Sequence, residues 1–299
     1  MLRPLDPGCV VVQFDSLPSE KDLRRVADLM ERHPDVPLRV YGGYDGSITN
    51  LDFLRFFPHL TRFHADALRY RDFDSIDGLR HLPDGLVELS LGRTKKRFSL
   101  APLARFRSLR TLYLEGDPKD IEVISSLTVL NDLTLRSITL PDLSILLPLR
   151  QLRSLDIKLG GTRDLGILPE LAPLAYLELW MIRGLDDITS IGELASLQYL
   201  FLQDLSQVDR LPDMSRMTAL RRVAIEGLKR LTDLSPLREA PALEELSLFK
   251  SPHLSVDDLG CLVGHPTLKA LSVGLGSKRK TDAVAKLLPL PRPGKFVFH

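Results

Sequence analysis

Across 299 residues the chain holds only two cysteines, one tryptophan and two asparagines. Cys9 and Cys261 exclude a disulfide framework and a CxxC metal site. Ten intervening strands at about 4.8 Å each would hold them roughly 45–50 Å apart, far beyond the ~7 Å a disulfide spans. Charge of one sign is also missing. The net charge is +1, so no whole-protein field draws the chain to nucleic acid or to a membrane. No apolar run approaches the ~18 residues of a membrane span. The N-terminus, MLRPLDPGCVVVQFD, is apolar only over 9–12 and lacks the apolar core and cleavage site of a secretory signal. No Asn-x-Ser/Thr acceptor occurs. A cytoplasmic, monomeric protein without a membrane partner is the expectation.

Catalytic signatures are missing too. There is no HExxH, GxSxG, GxGxxG or complete P-loop, and no histidine pair at ligand spacing. GLGSKRK at 274–280 lacks the phosphate-loop spacing and reads as a turn before the last helix. Asp186–Asp187 and Asp257–Asp258 read as helix-start caps or solvated charge before they read as metal ligands. His64, with Arg62 and Asp66, is the one constellation worth testing for catalysis, and a plain surface role is the simpler reading. The chain is therefore expected to be no enzyme and to need no metal or cofactor.

What is abundant is leucine in register. LxxLxL or a close variant starts at Leu60, Leu86, Leu109, Leu130, Leu152, Leu174, Leu197, Leu220, Leu243 and Leu268, at spacings of 21 to 26 residues. PLRVY at 37–41 looks like a degenerate first copy. In LxL the period is 2, so both leucines face one side and the residue between them faces the other. Segments such as DITSIGELASL carry a second apolar set and must return the chain, so that the next strand lies parallel to the last. One such unit cannot bury its own apolar face, and stacking is required. A helical array needs about 33 residues or more per repeat, which these spacings do not allow.

The pattern resembles the leucine-rich repeat family over residues 37–276. DLSPL at 233–237 and SLAPL at 99–103 are most like the short repeats of bacterial internalin-type and phosphatase-regulator-type proteins. The resemblance implies an α/β fold: a right-handed horseshoe solenoid of about ten or eleven repeats with a parallel β-sheet on its concave side. The family's asparagine in LxxLxLxxN is missing. Those positions hold Thr94, Asp117, Ile138, Gly160, Ile182, Leu205, Leu228, Ser251 and Gly276. Something other than an asparagine ladder must satisfy the turn backbone.

The ends read as caps. Residues 1–36 offer a strand over 9–15 and a helix over 19–33, with Ser19 as N-cap and Leu23, Val26, Ala27 and Met30 on one face. Residues 277–299 offer a short helix over 281–288 and an edge strand at KFVFH.

If the repeat leucines point inward, Tyr176, Trp180, Tyr199 and Phe201 point outward on two neighbouring strands. Each carries roughly 150–250 Å² of surface, and together they make an apolar patch of the size that marks interaction sites. Tyr113 and Phe249 lie further out, with Arg136, Lys158, Glu178 and Arg222 around the patch as a polar rim. The expectation is a non-enzymatic module that grips a protein partner through these residues, as an inhibitor, an immunity-type protein or a regulatory scaffold. The bland alternatives are aromatics that only stack across strands, or a loop that covers them. A different reading uses the basic clusters Arg93, Lys95, Lys96, Arg97 and Lys278, Arg279, Lys280 to bind nucleic acid or a phosphorylated ligand; solvated loops are the simpler account of both.

Overall fold

The computed structural model describes residues 3–41, 48–67, 75–94 and 96–294. The KFVFH strand, Lys95 and the Asp66 side chain expected near His64 lie outside the described residues. The chain forms two compact units, Met1–Ser137 with Pro148–Gln151, and Ile138–Leu147 with Leu152–His299.

The first unit carries β1 (Val12–Phe14), β2 (Leu38–Tyr41), β3 (Arg62–Ala67), β4 (Glu88–Leu91), β5 (Thr111–Glu115) and β6 (Asp132–Arg136), each parallel to the next. Helix α1 (Glu20–Glu31) joins β1 to β2. It begins where expected, because the Ser19 hydroxyl accepts from the Asp22 N–H, and Glu20 and Asp22 suit the positive end of the helix dipole. Leu23, Leu29 and Met30 are its buried residues. The strand predicted over 9–15 is shorter, covering 12–14 only. Phenylalanine replaces leucine in this first core: Phe53 makes edge-on contacts with Phe14, Phe57 and Phe63, with ring centroids 5.5–6.4 Å apart. Such pairs close the exposed end of a solenoid with more apolar area per residue than leucine offers.

The second unit carries β7 (Ser154–Lys158), β8 (Tyr176–Trp180), β9 (Tyr199–Gln203), β10 (Arg222–Glu226), β11 (Glu245–Phe249) and β12 (Ala270–Val273), again parallel and in chain order. The two leucine-type positions of β7 to β11 are buried, as in Leu177/Leu179, Leu200/Leu202 and Leu246/Leu248, while in β12 Leu271 is buried and Val273 half-buried. Most return segments contain a single 3-10 turn, and the DLSPL segment contains the short helix α2 (Ser235–Glu239). These turns start alike: the carboxylates of Asp142, Asp164, Asp187 and Asp233 accept the backbone N–H two residues on, at 2.7–2.9 Å. Bonds from the hydroxyl and then the N–H of Ser144 hold the Asp142 carboxyl below its ordinary pKa, and bonds from the N–H and then the hydroxyl of Thr189 and Ser235 do the same for Asp187 and Asp233. Asp187 is thus a turn cap, as its sequence suggested.

Helix α3 (Lys278–Leu287) starts three residues earlier than the sequence pattern indicated, because Ser277 caps the Lys280 N–H. Lys278, Arg279 and Lys280 therefore form the first turn of a helix, which corrects their reading as a solvated loop.

The asparagine ladder has a two-part replacement. The residue leaving each strand from β5 to β11 adopts left-handed backbone: Gly116, Ser137, Leu159, Met181, Asp204, Gly227 and Lys250 all have positive φ. That twist aims its N–H at the last carbonyl of the following strand. Leu159 donates to Trp180, Met181 to Gln203, Asp204 to Glu226 and Gly227 to Phe249, at 2.8–3.1 Å. The asparagine position itself is then free to carry core, and Ile182, Leu205 and Leu228 are buried there.

Gly160 also holds an asparagine position, and an added Cβ would stand 2.0 Å from the Ile138 carbonyl oxygen. Backbone cannot retreat as a side chain can. Gly160→Ala is expected to lower stability by about 2–3 kcal/mol in denaturant titrations, whereas Gly260→Ala, which meets nothing within 4 Å, should change it little.

Candidate functional site

With the leucines turned inward, three side chains per strand remain on the open face of the sheet. In the second unit, pairing register arranges them in rows. Ser154, Tyr176, Tyr199, Arg222 and Glu245 form the first. Asp156, Glu178, Phe201, Ala224 and Ser247 form the second, and Lys158, Trp180, Gln203, Glu226 and Phe249 the third. Eight of the ten expected contact residues stand in this grid. Tyr113 and Arg136 belong to the first unit, on β5 and β6.

The aromatics are less wet than their sequence suggested. Tyr176 and Tyr199 stack, with centroids 5.0 Å apart and planes 29° apart, and Tyr199 is only 9 % exposed. Cross-strand stacking, one of the bland alternatives, accounts for these two. Tyr176, Trp180 and Phe201 are half-buried and Phe249 is 39 % exposed, so outside the tyrosine stack Trp180, Phe201 and Phe249 carry the accessible aromatic surface.

Charge is organised around the tyrosine stack. The Tyr176 hydroxyl donates to Glu178 Oε2 at 2.8 Å, and Lys158 Nζ lies 3.0 Å from the same oxygen and 3.4 Å from Asp156 Oδ2. Glu178 is 7 % exposed, so these partners are what make its burial tolerable. Burial, reinforced by the charges of Asp156 and Glu178, pushes the Tyr176 phenol far above its ordinary value. Burial also raises Tyr199, partly opposed by Arg222. Arg222 pairs with Glu245 across the next two strands, and Lys250 bridges to Glu226 at 2.6 Å.

Sequence reasoning missed one feature of this face. Met181, in the exit turn beside Trp180, is 47 % exposed. It occupies none of the outward strand positions, so period-2 counting passes over it. The only available signal was its place one residue after the strand.

In the first unit, Tyr113 and Arg136 converge on one carboxylate. The Tyr113 hydroxyl donates to Glu115 Oε2 at 3.1 Å and Arg136 Nε lies 3.5 Å from Oε1. His64 Nε2 is 2.6 Å from Glu88 Oε1, and Arg62 bonds the other oxygen. The His64 bond, then the Arg62 bond, hold Glu88 below its ordinary pKa despite burial. This is an ion-pair cluster on the surface of a sheet. Among the described residues, no group of three or more His, Cys, Asp or Glu could hold a metal ion.

The basic clusters are partly used. Arg97 Nε bonds the Asp117 carbonyl at 2.9 Å and its carboxylate at 3.0 Å, beside a cleft of about 210 Å³ floored by Ile76, Leu91, Leu100 and Leu114. Lys280 Nζ donates to the carbonyls of Pro252 and Leu254, and Lys278 pairs with Asp282. Both cysteines are free and half-buried, and burial raises the Cys261 thiol. Among the described residues no helix is long and apolar enough to cross a membrane.

Parallel strands in chain order, inward leucines and short return turns define a leucine-rich-repeat fold. Two solved structures share it: internalin C2 from Listeria monocytogenes (24 % identity, TM-score 0.53, covering 64 % of this chain and 81 % of that one) and an internalin, inlF, from the same organism (21 % identity, TM-score 0.53, covering 87 % and 81 %). No protein-family model and no curated protein matches the chain.

Tyr176→Phe removes one donor from a buried carboxylate. A loss of about 2 kcal/mol is expected, read by denaturant titration. In the His64–Glu88 cluster the folded pKa of Glu88 is depressed. Its contribution is fully present above the ordinary value of 4.5 and disappears as pH falls through the lower folded value. Melting curves of wild type and Glu88→Gln should therefore differ near neutral pH and converge in acid. A constant gap down to acid pH would show that the Glu88 charge is not what stabilises the cluster.

Proposed function

We propose that the chain is a non-enzymatic protein-binding module that grips its partner through the open face of β7–β12. The observation that carries this reading is the accessible trio of Trp180, Phe201 and Phe249 on one rigid sheet, next to exposed Met181. Aromatic side chains with charge at the rim are the composition of binding hot spots. The sheet positions them without loss of loop entropy on binding, which favours affinity. Arg222, Lys158 and Glu178 lock the rim, and the Tyr176–Tyr199 stack supports the patch from one side. Tyr113 and Arg136 would serve a second contact on the first unit's sheet. Fold kinship with internalins supports a solenoid architecture for the module; the role as an inhibitor, immunity-type protein or scaffold is a finer reading of the same surface. A cytoplasmic monomer fits the sequence composition. Nucleic-acid or phospho-ligand binding through the basic clusters is the weaker reading, because Arg97 and Lys280 are already engaged by backbone carbonyls.

The test is a pull-down from native lysate with wild type beside the Trp180→Ala/Phe201→Ala/Phe249→Ala variant. Circular dichroism confirms that both are folded. A protein retained by wild type and lost from the variant is the expected result. Identical sets of bound proteins would move the site elsewhere. Tyr176 and Tyr199 are left intact because their stack is structural.

A further inference from the structure

The last repeat holds a histidine where the others hold core. Three positions before the first repeat leucine stand Phe57, Phe106, Leu127, Leu194, Met217 and Ala240, all buried. Before Leu268 that position is His265, and it too is buried, at 9 % exposure. An imidazole is costlier to bury than an apolar side chain unless its nitrogens find partners. Both do. In the repeats just named, the leucine N–H donates to the backbone carbonyl of the residue at this position, at 2.9–3.4 Å. In the last repeat the ring takes over that part. Its Nδ1 accepts from the N–H of Leu268 at 3.2 Å and from that of Thr267 at 3.3 Å. Nδ1 therefore carries no proton, and Nε2 donates to the Leu237 carbonyl at 3.2 Å.

This bonding admits only the neutral ring. An imidazolium has a proton on each nitrogen and accepts nothing, so protonation of Nδ1 turns a shared acceptor into a donor facing two N–H groups. The surroundings oppose it as well. The charged and titratable groups on the packed elements are Arg238 and Glu239 on α2, and Asp257, Asp258 and Cys261 on the 3-10 turn Asp257–Leu262. Of these, Arg238 acts on the ring and repels its charged form. The Asp258 carboxylate is taken by the N–H and hydroxyl of Ser255, and Glu244, at the entry to β11, by Lys269 and Arg221. Burial first, with Arg238 in support, holds His265 below its ordinary pKa of 6.5, against the opposing effect of the Leu237 bond.

What the ring holds is the start of β12. Thr267 and Leu268 lead into that strand, and the Thr267 hydroxyl donates to the Leu243 carbonyl at 2.8 Å. The C-terminal segment hangs on the same strand, since the Leu271 N–H donates to the Pro291 carbonyl at 2.8 Å. The end of β12 also underlies the open face: a Cβ added at Gly274 would stand 2.8 Å from the Phe249 ring. We infer that His265 is an acid-sensitive latch, whose protonation frees the turn that starts β12 and withdraws support from Phe249. The link to Phe249 rests on the reading of the face as a binding site; the latch itself does not.

The folded pKa is lowered, so the latch is whole above 6.5 and its contribution falls as pH drops below that value toward the lower folded one. Hydrogen exchange on the full chain tests this, read as protection factors so that the intrinsic pH dependence of exchange drops out. Between about pH 7.5 and about pH 5.5 the amides of β12 should lose about tenfold in protection, while those of β9 hold theirs. His265→Leu, which gives the last repeat the side chain of Leu127 and Leu194, should abolish the difference. If leucine leaves β12 unprotected at neutral pH, the wild-type ring decides. Nitrogen NMR should then show Nδ1 unprotonated at neutral pH and a titration below 6.5. A loss of protection that persists in folded His265→Leu, a β12 that ignores pH, or a ring that titrates at its ordinary value would each overturn the latch. Phe249 ring signals that stay unchanged while β12 opens would overturn its link to the face.

Discussion

The structure depends on one constraint: a strand of three to six residues with an LxL core cannot bury its own leucines. Each repeat is stable only when its inward pair, such as Leu177 and Leu179, lies between the pairs of its neighbours, here Leu155/Ile157 and Leu200/Leu202. Parallel register follows, since only a parallel neighbour repeats the same inward and outward positions. The return segments exist to bring the chain back for that stacking, and their Asp-capped turns make the reversal in few residues. The end of the stack needs its own solution, and the phenylalanine cluster around Phe53 under α1 supplies it in the first unit.

The same constraint frees the other face. Once the leucines and the return segments have made the core, the outward positions of β7–β12 are not needed for folding. They carry groups that cost stability or contribute little, a nearly buried carboxylate at Glu178 and an exposed Phe249, while Met181 stands exposed in the exit turn beside them. Glu178 is tolerable only because Tyr176 and Lys158 reach it, and that arrangement ties the tyrosine stack to support of the face. The accessible apolar surface is left to Trp180, Phe201, Phe249 and Met181. The proposal of a recognition face rests on this small aromatic surface set among ion pairs, and among the described residues no group of three or more His, Cys, Asp or Glu could hold a metal ion.

Legibility in the sequence followed chemical range. The repeat, the parallel sheet, the inward leucines and the outward grid were readable, because each depends on a period of 2 within a strand and on a recurring spacing between strands. Helix α1 was readable from Ser19 and its apolar face. The start of α3 was misplaced, since Ser277 looked like part of a glycine turn until its hydroxyl was seen to meet the Lys280 N–H. The basic residues 278–280 were misread with it. The outward aromatics were correctly assigned to the face, but a one-dimensional pattern gives a side chain's direction and not its coverage. Tyr176 and Tyr199 cover each other, and nothing in LAYLEL or LQYLFL separates a stacked tyrosine from an exposed one.

The replacement of the asparagine ladder divides the two sources of information most clearly. Sequence alone determined that asparagine was missing from every repeat and that its work had to pass to other groups, because periodicity identifies the position regardless of its neighbours. Only the tertiary structure decided how: left-handed residues at the exits of β5 to β11, of which Gly116, Leu159, Met181, Asp204 and Gly227 donate to the last carbonyl of the next strand, with Ile182, Leu205 and Leu228 filling the vacated core. That solution is a contact between residues more than twenty positions apart, and so are the Arg222–Glu245 and Lys250–Glu226 pairs of the open face. Such contacts depend on which repeat lies beside which and at what register, and these are properties of the stack rather than of any one stretch of chain.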